Sequence, residues 1–372
     1  MESESNRGVC PIRHVVTEVG DDAWLVTGHT AVRQMFADLR LGRSHPTPDT
    51  APRRSSSVLF GGPLGNFETE LEDMAWRRSL LTPLFSPTRI RALRPRLEAL
   101  ASRLVDDMVE HGAPVDFQTV FANQFPVLAI CELMGVPGDE RERFCEWSDA
   151  VLDERDGTRS RQARSDLFTY SQGLIQRKRR NPGDDVFSRL SEVEGIDDAT
   201  VAGLGMVLLV AGQETTIKAI GSGLLTLLQH PAQWQKLVDG PELIPGAVEE
   251  LLRVLNDIEF VRYPRSDLDI GGITVRAGDL VLLDMGSANR DPEVFPEADR
   301  FDVSRANGAH LSFGFGHRYC TGAPLARLEL QVALRQLVTR LPTLRLAVDP
   351  DSLTTRGELV TKRLTSLPVA WS

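Results

Sequence analysis

Four cysteines, at positions 10, 131, 145 and 320 of 372, form no Cys-x-x-Cys pair. That scatter excludes a disulfide framework and a structural zinc site, and it suits a reduced, cytoplasmic protein. Long apolar runs are missing too. The longest, Val201 to Gly212, has about 12 residues, against the roughly 20 that a spanning helix needs. The opening MESESNRG is acidic and polar, unlike a secretory signal. Positive charge is in deficit, with Lys+Arg 42 against Asp+Glu 52 and a net charge of −10. No nucleic-acid partner and no membrane association are therefore expected. Internal repeats and low-complexity linkers are also lacking. What remains, 41% hydrophobic and 25% charged residues, is the composition of a globular chain, and a single domain over 1–372 is expected.

The first hundred residues mix a strand at Ala23 to Val26 and a short helix at Ala31 to Ala37 with a long Pro/Ser/Gly/Arg-rich loop at 46–66. From Met74 to about Leu255 the apolar spacing is helical, as in Ile90 to Glu110 and Asn123 to Met134. Pro87, Pro137 and Pro182 punctuate these runs, and the charge-dense stretch 152–164 reads as a solvated connection. The longest helical pattern runs from about Ala199 to Gln229. Beyond Asn256, strands are predicted at Phe260 to Tyr263, Asp269 to Val275 and Leu280 to Leu283. Gly271-Gly272 reads as a hairpin turn between the first two of these. A last helix spans Ala323 to Leu341, with strand-like segments after it. The fold class is mainly α, an α+β chain with small sheets.

Three constellations carry chemistry. In Phe313-Gly314-Phe315-Gly316-His317-Arg318-Tyr319-Cys320-Thr321-Gly322, three glycines let the backbone turn tightly and approach a flat ligand. Cys320 stands just before a helix N-terminus, which favours the iron-binding thiolate. Alone, such a cysteine is usually packing or capping; Arg318 and the glycines argue otherwise. In Ala211-Gly212-Gln213-Glu214-Thr215-Thr216, an acid and two hydroxyls interrupt an apolar helix. Read alone, Glu214 faces solvent and Thr215 bonds back to the carbonyl four residues earlier. In Glu249-Glu250-Leu251-Leu252-Arg253, Glu250 and Arg253 share a helix face. Read alone, that is a surface ion pair of well under ~1 kcal/mol.

Together these motifs resemble the cytochrome P-450 family of haem-thiolate monooxygenases, bacterial soluble type, over nearly the whole chain from about residue 10. The resemblance implies a helix-rich, triangular single domain with a long central helix over haem b (iron protoporphyrin IX). Cys320 becomes the proximal iron ligand. Arg318, Arg262 and Arg78 meet haem propionates, Phe313 lies against the sulfur side, and Gly314 and Gly322 belong to the haem loop. Ala211 and Gly212 lie against the haem, the glycine opening space over the iron. Glu214 and Thr215 are the acid–alcohol pair that delivers protons to dioxygen. Glu250 and Arg253 form a buried brace joined by Arg300 from Asp299-Arg300-Phe301, where the family's usual preceding proline is Ala298. Ala288-Asn289-Arg290-Asp291-Pro292 is read as turn and cap. Met74 stands where the family usually has a histidine four residues before the Arg78 position, and the family's first helix is expected to be absent.

The activity implied is oxidation of a hydrophobic small molecule, plausibly a specialised metabolite, by a monomer. Electrons are expected from NAD(P)H through a ferredoxin reductase and a ferredoxin, docking near Arg77, Arg78 and Arg327, because 372 residues leave no room for a fused reductase. Pocket contacts are expected from 55–70, the helices around 125 and 165–175, Val207 to Ala211, Ile258 to Val261 and Leu359 to Thr361. Two alternatives stay open on sequence: oxidative coupling of aromatic substrates without oxygen insertion, and a non-catalytic haem-fold recruitment module.

Overall fold

The computed structural model describes residues 11–57, 60–151, 157–306, 308–356 and 362–372. Its strands are β1 (Ile12–Val16), β2 (Asp22–Val26), β3 (Leu41–Gly42), β4 (Val115–Asp116), β5 (Glu259–Pro264), β6 (Leu268–Ile270), β7 (Ile273–Val275), β8 (Val281–Asp284), β9 (Arg345–Leu346), β10 (Thr355–Arg356), β11 (Arg363–Leu364) and β12 (Pro368–Ala370). Its helices are α1 (His29–Ala37), α2 (Glu70–Leu81), α3 (Pro87–His111), α4 (Gln124–Met134), α5 (Arg141–Val151), α6 (Gly157–Arg180), α7 (Val186–Ser191), α8 (Asp198–Gln229), α9 (Pro231–Asp239), α10 (Ile244–Leu255), α11 (Met285–Ala288) and α12 (Ala323–Arg340). The chain divides into two compact units. One holds the segments up to Arg78 and from Glu249 to Cys320; the other holds Ser79–Val248 and most of the chain after Thr321.

The first unit is built on a five-stranded sheet in the order β1-β2-β8-β5-β3. Only β2 and β8 pair in parallel, with Leu25 opposite Leu282. Side chains alternate across the pleat, and both faces are buried. Val26, Val281 and Leu283 join Val32, Phe36 and Leu311 on one side. Ala23, Leu25, Val261, Tyr263 and Leu282 pack on the other. Burial on both faces explains why β2 and β8 read as nearly unbroken apolar runs. The glycine pair falls inside the predicted strand, not before it. Gly271 and Gly272, both at positive φ, turn β6 into β7 as a separate hairpin pairing Ile270 with Ile273. The loop after β3 is pinned by Arg54, whose Nε donates to Glu259 Oε2 at 2.7 Å.

The second unit is helical, with the small sheets β4-β12-β9 and β10-β11. Helix α8 starts under an Asp197 cap that accepts from the Thr200 N–H at 2.7 Å. At 32 residues it is about 48 Å long. Length and average apolarity alone would let α8 cross a membrane, as they would the core helix of a globular protein. Half of its most apolar window is buried inside the protein. The charged stretch beyond 151 was also misread: from Gly157 it is helical, as the opening of α6, because Arg, Gln and Ala are good helix formers and no breaker intervenes.

Glu329 on α12 is buried, its Oε2 lacks a hydrogen-bond partner, and burial pushes its carboxyl well above the usual range. The folded chain therefore keeps a proton that the unfolded chain releases above about pH 4. Stability from this group is highest below that range and falls as pH rises toward the raised value. Glu329→Gln keeps the shape without the titration. Its melting temperature relative to wild type is expected to improve as the pH rises above about 5, a trend that thermal melts across a pH series would check.

Candidate active site

The cysteine loop belongs to the first unit. Its ends are tied by the Cys320 N–H donating to the Phe313 carbonyl at 2.8 Å. Gly314 and Gly316 adopt positive φ, and a Cβ at Gly314 would stand 3.0 Å from the Arg318 carbonyl, so a side chain there would strain the turn. Phe313 lies edge-on to Tyr319. Arg78 Nη1 donates to the Tyr319 carbonyl at 2.8 Å, which attaches α2 to the residue beside the cysteine. Cys320 is exposed, and Gly322 caps α12 in an ordinary helical conformation.

Behind this loop sits a cluster of buried guanidinium groups. Arg262 lies on the β5 face that carries Phe260 and within 5.6 Å of the Phe36 ring centroid. Among the described residues its one hydrogen bond is to the neighbouring Val261 carbonyl, and its Nε has no partner there. Burial holds its pKa well below the usual value, aided by Arg318 and Arg43 and opposed by Glu70. Arg318 donates to the Leu41 carbonyl at 2.8 Å and to Glu70 Oε1 at 3.3 Å, while its Nε is unsatisfied. Burial also lowers the His317 pKa, with Arg318, Arg262 and Arg78 adding to the effect, so this imidazole is neutral near pH 7. Three guanidiniums against one carboxylate leave 3 − 1 = +2 in a desolvated place, before the partly exposed Arg265 is counted. Buried cations demand anionic partners. Haem b carries two propionates, so charge and unfilled donors fit that group.

The brace also lies in this unit, and it is buried. Arg253 Nε and Nη2 grip the two Glu250 oxygens at 2.7 and 2.9 Å with side-chain exposures of 2% and 1%. Burial alone would raise the Glu250 pKa. Hydrogen bonds from Arg253, the Asp302 N–H and Arg305 outweigh that and hold it low. Arg253 Nη1 reaches the Asn289 and Ala298 carbonyls. The expected third member was wrong. The Arg300 side chain turns outward to Glu297 and Asp302 at 2.8 and 2.9 Å, and only its carbonyl serves the network. Arg305 takes the place, its Nε donating to Glu250 Oε1 at 3.1 Å. Asn289 is more than a turn residue. Fully buried, it accepts from the Leu311 N–H and donates to Ser312 Oγ at the root of the cysteine loop.

The second unit presents the acid–alcohol motif on α8. Val207, Ala211 and Thr215 form an exposed stripe at i, i+4, i+8 in a helix otherwise largely buried. Thr215 Oγ1 donates back to the Ala211 carbonyl at 2.9 Å, the bland bond foreseen for it. Glu214 does not face solvent; it is buried and ion-paired with Arg363 of β11 at 3.1 Å. Gly212 was expected to open space over a cofactor. The site where its Cβ would stand lies 3.1 Å from Ile130 Cδ1, so the glycine lets α4 approach. Around residue 125 the side chains pack inward, with Phe125 tilted against Phe121, which stacks on Phe117. Cys10 and Leu359 to Thr361 lie outside the described residues. Sequence reasoning missed Glu70, Arg305 and Arg363, each isolated in sequence from its partners. A glycine directly before Arg43-Ser44 was the one local hint of Glu70.

The family model described as cytochrome P-450 matches residues 242–365. Pentalenolactone synthase of Streptomyces exfoliatus is 37% identical over 97% of this chain and 93% of its own. The mycinamicin IV hydroxylase/epoxidase of Micromonospora griseorubida is 38% identical over 97% and 92%. A solved structure of the mixed-function enzyme MycG with mycinamicin V superposes with a TM-score of 0.89, at 38% identity and 97% and 93% coverage. A substrate-free pimaricin epoxidase, PimD, gives 0.88 at 36% identity and 97% and 93% coverage. Likeness of this degree, in sequence and in fold over nearly the full length, makes the chain a member of the cytochrome P-450 family, a monooxygenase whose cofactor is haem b.

Proposed function

We propose that Cys320 ligates the haem iron and that Arg262, Arg318 and Arg78 serve the propionates. Phe313, Gly314 and Gly322 shape the loop that presents the sulfur, and Ala211 and Gly212 mark the turn of α8 that meets the haem. The observation carrying this assignment is the pair of unsatisfied buried Nε atoms on Arg262 and Arg318 beside the Cys320 loop. Haem, when bound, supplies dioxygen activation and thiolate-assisted O–O cleavage. The protein orients the substrate, excludes water and manages protons. Reduction of the protein under carbon monoxide tests the ligand: a Soret band red-shifted as thiolate ligation requires supports it, and an unshifted band defeats it.

Glu214 and Thr215 form the proton path in this reading. The Thr215 hydroxyl spends its hydrogen on the Ala211 carbonyl, which leaves its oxygen free to accept from a water. Arg363 holds the Glu214 carboxylate in place beside it. Thr215→Ala is expected to keep most electron consumption while hydrogen peroxide rises and product falls several-fold. Unchanged coupling, measured as product per NAD(P)H, would assign proton delivery elsewhere.

The substrate proposed is a hydrophobic product of specialised metabolism. The exposed Val207 and Ala211 offer it apolar contact, and relatives named for mycinamicin IV and 6-deoxyerythronolide B act on such molecules. Electrons would come from NAD(P)H through a ferredoxin reductase and a ferredoxin, with the half-exposed Arg77 among its contacts. We further assign the chain to the cytoplasm as a monomer whose two units act as a single haem domain, since the relatives align across both. Spin-state shifts of the haem with macrolide-like, aromatic and cyclic-peptide ligands would identify the substrate class.

A further inference from the structure

Glu70, the first residue of α2, is a carboxylate with an unusually complete set of partners. It is buried and accepts from the Arg43 N–H at 2.7 Å, the Ser44 N–H at 3.0 Å and the Ser44 hydroxyl. Arg318 Nη2 lies 3.3 Å from one oxygen, and Arg265 approaches the other at 3.7 Å. The backbone beneath is shaped for it: a Cβ at Gly42 would stand 2.5 Å from Glu70 Oε2, so any larger residue would dislodge the carboxylate. The two backbone N–H groups and the hydroxyl fix Glu70 itself. Arg318, whose side chain reaches the carboxylate, still has an unsatisfied, buried Nε.

We propose that Glu70 is a positioning residue of the haem-propionate site: it anchors Arg318 and sets the net charge of the guanidinium cluster, through which it governs haem affinity and reduction potential. The inference rests on the assignment of Arg262 and Arg318 to the propionates. Holding Arg318 Nη2 against this carboxylate and the Leu41 carbonyl leaves the buried, unsatisfied Nε to donate to an anion, which a free arginine would do at greater entropic cost. Glu70 also removes one positive charge from the cluster of Arg43, Arg262, Arg265 and Arg318. Without Glu70 the cluster would carry an uncompensated cation next to the haem, favouring the more negative, reduced state.

Two variants of the haem-loaded protein separate charge from position. Glu70→Gln removes the charge and is expected to shift the reduction potential, read by spectroelectrochemical titration, to more positive values. Glu70→Asp keeps the charge but withdraws it from Arg318. Its potential should stay near that of wild type, while haem passes to apomyoglobin about tenfold faster, the scale of one charge-assisted hydrogen bond. An unmoved potential in Glu70→Gln, or wild-type haem transfer in Glu70→Asp, overturns the proposal. A lower melting temperature with both readouts unchanged also overturns it, because Glu70 then serves packing only. Should Glu70→Gln fail to fold, the haem-transfer rate of Glu70→Asp decides alone. A wild-type protein lacking the thiolate-type carbon monoxide spectrum would instead overturn the underlying assignment, before any variant is compared.

Discussion

Cys320→Ala loses the red-shifted carbon monoxide Soret band and all substrate oxidation together. The loop that offers the sulfur spans Phe313 to Gly322. Gly314 and Gly316 sit at positive φ, a backbone bond between Cys320 and Phe313 ties its ends, and Cys320 itself is exposed. A structural cysteine would be buried, and alanine would replace it at little cost. The substitution is therefore expected to leave the unfolding free energy of the haem-free chain within about 0.5 kcal/mol of wild type, as for an exposed site, while abolishing function. Optical spectra of the reduced protein and product analysis with a surrogate ferredoxin system check the two halves. Retained turnover would overturn the ligand assignment.

Arg253→Ala is the largest stability effect expected. It strands the Glu250 carboxylate in the interior and frees the Asn289 and Ala298 carbonyls that Arg253 satisfies. Removing one member of a buried pair costs about 3–5 kcal/mol, a large part of the roughly 5–15 kcal/mol that holds a native protein together. Little folded, haem-loaded protein should be recovered. Arg305→Ala is expected to cost less, because Arg305 is more exposed and Glu250 keeps both bonds to Arg253. Arg300→Ala, on an exposed side chain paired only with surface acids, should stay within about 0.5 kcal/mol. Denaturant midpoints of the three variants test this ranking, and equal losses at Arg300 and Arg305 would contradict the network described.

The outline of the fold was legible because its elements carry strong local signals. The long helical pattern of α8, the runs of β2, β5 and β8, and the glycines before α12 need no distant partner to be recognised. Errors arose where a long-range contact decides. Glu-x-x-Arg looks the same on a surface as in a core, and nothing in the local sequence tells that Arg305 and not Arg300 reaches Glu250. Glu70 showed nothing in its own neighbourhood, since its partners come from residues 43, 44 and 318. At Gly212 the motif suggests space for a ligand, and the structure adds a long-range contact: Ile130 Cδ1 of α4 stands 3.1 Å from where a Cβ would be.

The ion pair between Glu214 and Arg363 constrains anyone who recombines this chain with its relatives. Exchanging the C-terminal hairpin to alter what the enzyme accepts would also replace the cation that restrains an acid more than a hundred residues upstream. A chimera that omits an arginine at that position would inherit a wayward carboxylate along with its new preference, so the tail and the long helix should be transplanted as a matched set.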